Sequence, residues 1–231
     1  MSTNLAEQLR EGTTKSHSMA ENVSFVKSFL GGVVDKNSYR QLVANLYFIY
    51  EAIEYQIERN KGNVFVNAIY FPELYRKQSL IYDLDYYYGS NWNNEIKPSS
   101  ATQVYVDRIH QIGSLSPELL IAHSYTRYIG DLSGGQILKK IAQNAMHLTD
   151  NKGTSFYDFE SIENEKLFKD VYRKSLNNIP LNKQQIEQII AEANIAFNLN
   201  MKIFQELNSN LIKIMVMLLI SSINNFRKKF S

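Results

Sequence analysis

Apolar residues recur along this chain at spacings of three and four, the period of an α-helix, and no run alternates cleanly as a strand would. Leu5, Leu9, Gly12/Thr13, Ser16 and Ala20 form a first stripe, opened by Asn4 and Glu7 at the spacing of a capping box. "SFVKSFLGG" predicts a short helix stopped at Gly31 and Gly32. Leu42, Val43, Leu46, Ile49, Tyr50, Ile53 and Ile57 share one side of a helix over 39–59, which ends near Gly62. Pro72 opens the next helix and Gly89 closes it. Helices over 101–112, 117–147, 162–177, 183–207 and 209–225 follow, with Pro98, Pro117 and Pro180 at their starts or breaks. "TDNKGTSFYDFESIEN" is polar and reads as a loop. No repeat, low-complexity segment or linker divides the chain. The pattern predicts an all-α fold of about eight helices in a single domain over 1–231, with a disordered tail over about 226–231.

Composition narrows the chemistry. A chain of 231 residues is long enough for one good-sized core, and 44% hydrophobic with 21% charged residues is the balance of a folded globular protein. A net charge of +2 gives no basic excess for bulk nucleic-acid binding. The absence of cysteine excludes disulfides, iron–sulfur clusters, thiolate-ligated heme, Cys zinc sites and Cys nucleophiles. Fifteen Tyr and twelve Phe imply a large core or an aromatic-lined pocket. "MSTNLAEQLREG" has no apolar signal core, so no targeting segment is expected. The unbroken apolar run 214–220 falls far short of the ~20 residues a membrane span needs. It reads as part of a buried terminal helix rather than as a surface anchor assisted by "RKK" at 227–229.

The four histidines are His17, His110, His123 and His147. None has a Glu three residues before it, as paired di-iron motifs require, and no His-Glu-x-x-His is present. A metal held by protein side chains alone is therefore not expected. A cofactor that brings most of its own ligands and needs one axial His stays open. His17, in "TTKSHSMAEN", is the best candidate, because small residues around the imidazole leave room for a flat ring system. Glu21, one turn on, is placed to hold the second ring nitrogen, or simply faces solvent.

In "AHSYTRYIGDLSGGQILKKIAQNAM" the helical pattern carries Gly130, Gly134 and Gly135 near its middle, each costing ~1 kcal/mol against Ala. Gly130 and Gly134 share a face, which lets a helix or a planar ligand approach the backbone closely. Gly135 beside Gly134 favours flexibility, as at a hinge or kink, over simple packing. Asp131 adjoins that face, and Arg127, one turn earlier, is within reach of it. Lys169 and Arg173 in "LFKDVYRKSL" point the same way, either as a solvated basic face or as a clamp for carboxylates.

Together "LREGTTKSHSMAENVSFVKSFLGGVVDKNSYRQLVANLYFIYEAIE", "YFPELYRKQSL" and the glycine-bearing segment closely resemble heme oxygenase, in particular the cyanobacterial and algal plastid type. The similarity runs from residue 4 to about 225. It implies a fold in which heme is sandwiched between a proximal helix and a kinked distal one. By position, His17 corresponds to the heme-iron ligand and Glu21 to the acid beside it. Gly130 and Gly134 correspond to the glycines whose backbone packs over the heme. Asp131 corresponds to the residue that orders distal water, with Tyr50 and Arg127 beside it. Lys169, Arg173 and Arg10 match propionate-contacting bases, Tyr125 a heme-contacting position, and Phe197 and Asn200 pocket-lining ones. Thr14 stands where some members carry Lys, with Lys15 next to it.

The resemblance implies oxidative cleavage of bound heme b, which is substrate and cofactor at once, to biliverdin IXα with release of iron and carbon monoxide. Oxygen and electrons from reduced ferredoxin are consumed, and the product feeds bile-pigment synthesis. The expected partners are heme and ferredoxin, with no nucleic acid, no membrane span and a monomeric chain. An acidic ferredoxin calls for a basic docking face, for which Lys139, Lys140 and Arg40 are candidates. The setting implied is an algal plastid stroma or a cyanobacterial cytoplasm. The rival from another class is a heme carrier or sensor, which needs His17 and the basic clamp but no working Asp131 network. Thiaminase-like hydrolases share the general fold but use a cysteine nucleophile, which this chain lacks.

Overall fold

In the computed structural model, which describes residues 3–149 and 152–229 and side chains as far as 207, every regular element is helical. The order is α1 (Leu5–Gly12), α2 (Thr14–Glu21), α3 (Ser24–Leu30), α4 (Lys36–Asn60), α5 (Val64–Asn67), α6 (Lys77–Tyr88), α7 (Trp92–Glu95) and α8 (Ser100–Leu115). Then come α9 (Leu120–Ser124), a π-helical segment Tyr125–Ile129, α10 (Gly130–Met146), α11 (Glu165–Asn177) and α12 (Lys183–Lys229). Of the tail expected over 226–231, the side chains lie outside the described residues.

Helix α4 is the post around which the others pack. Asp35 caps it, its carboxylate accepting from the Asn37 amide at 2.9 Å and from Ser38. Its predicted stripe is buried throughout: Leu42, Val43, Leu46, Ile49, Tyr50, Ile53 and Ile57. Ala44 and Ala52 are buried too, because α6, α8, α9 and α12 all contact this helix and cover more than one face. The aromatic load goes mostly inward: Tyr39, Tyr50, Tyr105, Tyr128 and Tyr172 are fully buried.

Several expectations from the sequence need correction. Asn4 is not a side-chain cap; it sits in the left-handed region at φ 53° and its amide binds the Glu7 carboxylate instead of a backbone amide. The first stripe is split into α1 and α2 at Thr13, whose hydroxyl bonds back to the Leu9 carbonyl at 2.7 Å. The helix expected over 117–147 carries the π-helical segment between α9 and α10. The two helices expected over 183–225 are one, since Asn208, Ser209 and Asn210 are weak helix formers rather than breakers.

The loop before α11 is pinned to the body. Asp83 of α6 accepts from the Ser155 and Phe156 amides at 2.7 and 2.8 Å, and burial pushes its carboxyl up to about 6. Lys139 of α10 is buried against Asp158, with Nζ 2.6 Å from Oδ1, so it is a loop anchor and not a docking base. Arg40 is also engaged, half-buried with its guanidinium over the Tyr88 ring at 5.1 Å. Of the three basic candidates for ferredoxin docking only Lys140 is freely exposed.

Helix α12 is fixed across the bundle by Glu192, whose side chain is 2% exposed. Its carboxylate accepts from Arg108 of α8 at 2.9 and 2.5 Å and from His123 Nε2 of α9 at 3.0 Å. Burial would raise this carboxyl, but the His123 and Arg108 hydrogen bonds prevail and hold it at about 2, below the usual 4.5. A carboxyl depressed in the folded state stabilises fully above its unfolded pKa and loses that contribution as pH falls through the folded one. Glu192→Ala is therefore expected to cost about 3 kcal/mol at neutral pH in chemical denaturation, by stranding the buried His123 and unpairing the partly exposed Arg108. The stability difference from wild type should shrink as the pH is lowered from 4.5 toward 2.

Candidate functional site

His17 lies on α2, a helix with no buried residue at all. Its side chain is 60% exposed, although it stands on an ordered helix. Nδ1 is 3.5 Å from Glu21 Oε1, one turn along, as the spacing suggests. Nε2 has no hydrogen-bond partner among the described residues. The ring meets the Phe197 ring of α12 edge-on, centroids 5.7 Å apart. Ser16 ties α2 to α12 through a hydroxyl bond to Asn194 Oδ1 at 2.5 Å. Just before α2, a Cβ on Gly12 would stand 2.5 Å from Ile190 Cγ2 of α12, so only glycine allows this close approach. The proximal residues are thus hung on α12 by small and polar contacts, and the imidazole is left facing outward.

Gly130 and Gly134 open the question of the distal wall. A Cβ built on either would meet nothing within 4 Å. No neighbouring helix packs there; the bare backbone faces open space. Gly135 differs, because its Cβ would come within 3.3 Å of the Tyr157 ring. Its reason is close packing, not the flexibility suggested by the double glycine. The π-helical segment Tyr125–Ile129 ends where Gly130 begins, and such a segment shifts the phase of the side chains that follow it. That offset, rather than a glycine hinge, is the irregularity of this helix.

Beside the bare backbone a polar group assembles from three elements. The Tyr50 hydroxyl of α4 donates to Asp131 Oδ2. Arg127 Nε donates to the same hydroxyl oxygen at 3.0 Å, and Nη1 donates to Asn200 Oδ1 of α12 at 2.7 Å. Arg127 Nη2 stands 3.8 Å from Asp131 Oδ1, a looser pairing than the i, i+4 spacing allows. Burial raises the Asp131 carboxyl above the ordinary range, opposed by Arg127, by the Tyr50 hydrogen bond and by Arg76. Burial likewise raises Tyr50 well above 10. Both shifts run toward the protonated forms. Phe25, Phe29, Leu46, Leu138 and Phe204 face Arg127 and Asp131 across a cavity of about 120 Å³.

A third cluster stands at another edge. Tyr125 is raised by burial and pulled back by the charges of Arg173 and Arg10, which places α11 and α1 cations near one hydroxyl. Arg173 is exposed and paired with Asp170 at 3.0 Å; Lys169, one turn earlier, is half-buried. Thr14 is engaged with the Arg10 carbonyl at 2.9 Å, and Lys15 is exposed.

Helix α12 relates the first two clusters. Phe197 touches His17, and Asn200, three residues on, holds Arg127. Two participants had no signal in the sequence. Arg76, buried before α6, is the second cation near Asp131, and its guanidinium lies 3.9 Å over the Phe159 ring. Tyr105 of α8 bonds Asn200 from behind.

Among the described residues no group of three or more His, Cys, Asp or Glu is placed to hold a metal ion. No helix among them is long and apolar enough to cross a membrane. The donor set is instead one imidazole with a free nitrogen and, across α12, a stripped helix flanked by a polar group. That arrangement fits a flat ligand that carries its own metal.

Comparison with known proteins agrees with this geometry. The family model described as heme oxygenase matches residues 3–206. A heme oxygenase of the red alga Porphyra purpurea is 63% identical over 99% of this chain and 97% of its own length. Heme oxygenase 1 of Synechocystis is 59% identical over 100% of this chain and 96% of its own. The crystal structure of heme oxygenase-1 from Synechocystis sp. PCC6803 in complex with heme superposes with a TM-score of 0.90 at 60% identity, covering 95% of this chain and 99% of that one.

The open space at the two glycines has a measurable consequence. Gly134→Ala meets no steric obstacle and gains helix propensity, so the ligand-free protein should be stabilised by about 0.5–1 kcal/mol in thermal or chemical unfolding. Destabilisation would mean that the face is packed.

Proposed function

The chain belongs to the heme oxygenase family and is an enzyme of that kind, and from that premise we propose that it cleaves heme to biliverdin IXα with release of iron and carbon monoxide, at the site formed by His17, Gly130, Gly134 and Asp131. The observation that carries the reading is the pairing of an imidazole free at Nε2 with a helix face empty at Gly130 and Gly134. A resident side-chain metal would need more ligands, and a helix–helix contact would fill the glycine face.

On this reading His17 binds the heme iron through Nε2, with Glu21 near Nδ1 keeping the ring oriented. The heme supplies the iron at which oxygen is activated. The backbone at Gly130 and Gly134 closes over the opposite side, where any larger side chain would occupy the space that oxygen needs. Asp131 holds a proton source beside that space, kept in place by Tyr50, Arg127 and, through Arg127, Asn200. Burial raises this carboxyl above the ordinary carboxylate range, the direction that favours its holding a proton. Phe25, Phe29 and Phe204 give the pocket an apolar wall, and such low-dielectric surroundings strengthen these polar contacts. Arg10, Lys169, Arg173 and Tyr125 hold the propionates and so set the rotation of the ring, which decides the carbon attacked. Phe197 lies against the imidazole.

Reduced ferredoxin is the proposed electron donor, docking as an acidic partner near exposed Lys140, and the chain acts as a monomer. The plastid stroma of an alga or a cyanobacterial cytoplasm is the proposed setting, in keeping with red algal and cyanobacterial relatives.

The deciding measurement is an absorption time course with one equivalent of hemin, then ferredoxin, its reductase and NADPH in air. A sharp Soret band that decays into the broad red absorption of biliverdin is expected. A band that forms and persists, with the donor competent on another oxygenase, would indicate a carrier. His17→Ala should lose the normal axial ligation in the heme spectrum. Asp131→Asn should bind heme with an intact Soret band yet form biliverdin at least tenfold more slowly, the usual scale of a lost general acid.

A further inference from the structure

Helix α12 meets the proximal part of the chain along one face. Ile190, Asn194 and Phe197 are spaced four and three residues apart, so they line up over two turns of that helix. Each touches a different part of the surroundings of His17. Ile190 lies against Gly12, the last residue of α1, so closely that a Cβ there would clash. Phe197 meets the imidazole ring edge-on. Asn194 stands between these two contacts, and of the three side chains it is the polar one.

The Asn194 amide is engaged at both ends. Its nitrogen donates to the Ile190 carbonyl at 2.9 Å, one turn back on its own helix, and to the Gly12 carbonyl at 3.0 Å. Its oxygen accepts from the Ser16 hydroxyl at 2.5 Å. The first bond holds the side chain against α12, and the other two reach across. Gly12 ends α1, where helix carbonyls lack intrahelical partners, and Ser16 lies in the first turn of α2. The chain breaks between them at Thr13 (φ −109°, ψ 0°), so α1 does not dictate the direction of α2. One side chain therefore ties both sides of the break to a single point.

No residue of α2 is buried, so no apolar face of its own fixes its rotation. Consecutive residues on a helix stand about 100° apart around its axis. Turning Ser16 toward α12 swings His17 by that angle off the line to α12. This agrees with an imidazole that is 60% exposed and still edges Phe197. Glu21 stands beside Nδ1 from within α2 and moves with that helix. It can orient the ring on the helix, but not the helix on the protein.

We propose that Asn194 is a positioning residue for the axial ligand: by joining Gly12 and Ser16 it sets the rotation and height of α2, and with them the direction in which His17 presents Nε2. The inference rests on the oxygenase reading above for the identity of what His17 binds. Asn194 acts on His17 through Ser16 and Gly12. Groups that orient a ligating imidazole tune both how firmly it holds its metal and the properties of that metal.

The test compares wild type with Ser16→Ala, Ser16→Thr, Asn194→Ala and the double variant Ser16→Ala/Asn194→Ala, each ligand-free and with one equivalent of hemin. In the ligand-free protein, amide hydrogen exchange over residues 14–21 should quicken about fivefold in Ser16→Ala, the scale of one lost hydrogen bond, with no change in the global unfolding midpoint. In the hemin complex, release of heme to an excess of a heme-scavenging globin should quicken about fivefold. The iron–imidazole stretching band of the reduced complex should shift. Ser16→Thr keeps a hydroxyl and should restore all three readouts. The double variant should match Asn194→Ala, because both side chains act on α2 through one bond. Wild-type exchange over 14–21 in Ser16→Ala would overturn the proposal. So would faster exchange with an unaltered iron–imidazole band and heme release. Wild-type protein whose heme spectrum equals that of His17→Ala would instead sink the oxygenase reading, while the exchange data still decide whether Asn194 holds α2.

Discussion

Asp131 keeps a carboxyl group on the wall of an apolar pocket, where an unpartnered charge would cost several kcal/mol, and much of the polar architecture answers that one demand. Tyr50 reaches it from α4 and Arg127 from the π-helical segment just before α10. Arg127 is itself buried, so it needs Tyr50 and Asn200. Asn200 is met by Tyr105, Tyr105 by His123 at 3.2 Å, and His123 by Glu192. The chain of partners ends at Arg108, the first member with substantial contact with solvent. Each residue is explained by the next, and the series crosses α4, α8, α9, α10 and α12. A proton on His123 Nε2 for Glu192 leaves Nδ1 to accept from Tyr105, so one tautomer satisfies both neighbours. Satisfying one carboxyl thus fixes how five helices are placed.

The same helix that carries Asp131 gives up side chains where they would be in the way. Gly130 and Gly134 contribute nothing to packing, and the helix tolerates them because Leu132, Gly135 and Lys139 on its other faces are buried against the body. The loop pinned by Asp83, Tyr87 and Lys139 backs this helix from outside. Weak intrinsic propensity at the open face is thereby offset by tertiary contacts that lie elsewhere.

The sequence was informative where periodicity and special residues coincide. The α4 stripe is buried as its spacing predicts, the Gly89 stop is real at φ 77°, and Glu21 does lie beside His17. Tyr50, Arg127 and Asp131 do meet. What periodicity could not show is what depends on register between distant segments. Arg76 looks like half of a surface Arg-Lys pair, yet it is buried under Phe159 because the loop before α11 folds back over it. Lys139 looks like its neighbour Lys140, but one residue of helical rotation turns it inward to Asp158. The π-helical segment has no marker in residue type, since one extra residue per turn leaves the apolar pattern nearly unchanged over five positions.

Helix α2 is the least anchored part of the site: it buries none of its own residues, and it is tied to α12 by the Ser16 hydroxyl bond and one aromatic edge. On the proposed reading its outer face would be completed by the ligand that His17 holds. On that same reading, a product that has lost its iron has lost the one atom that would fasten it to α2. Unfastening the product and freeing the helix would then be a single event, the chemistry itself removing the rivet.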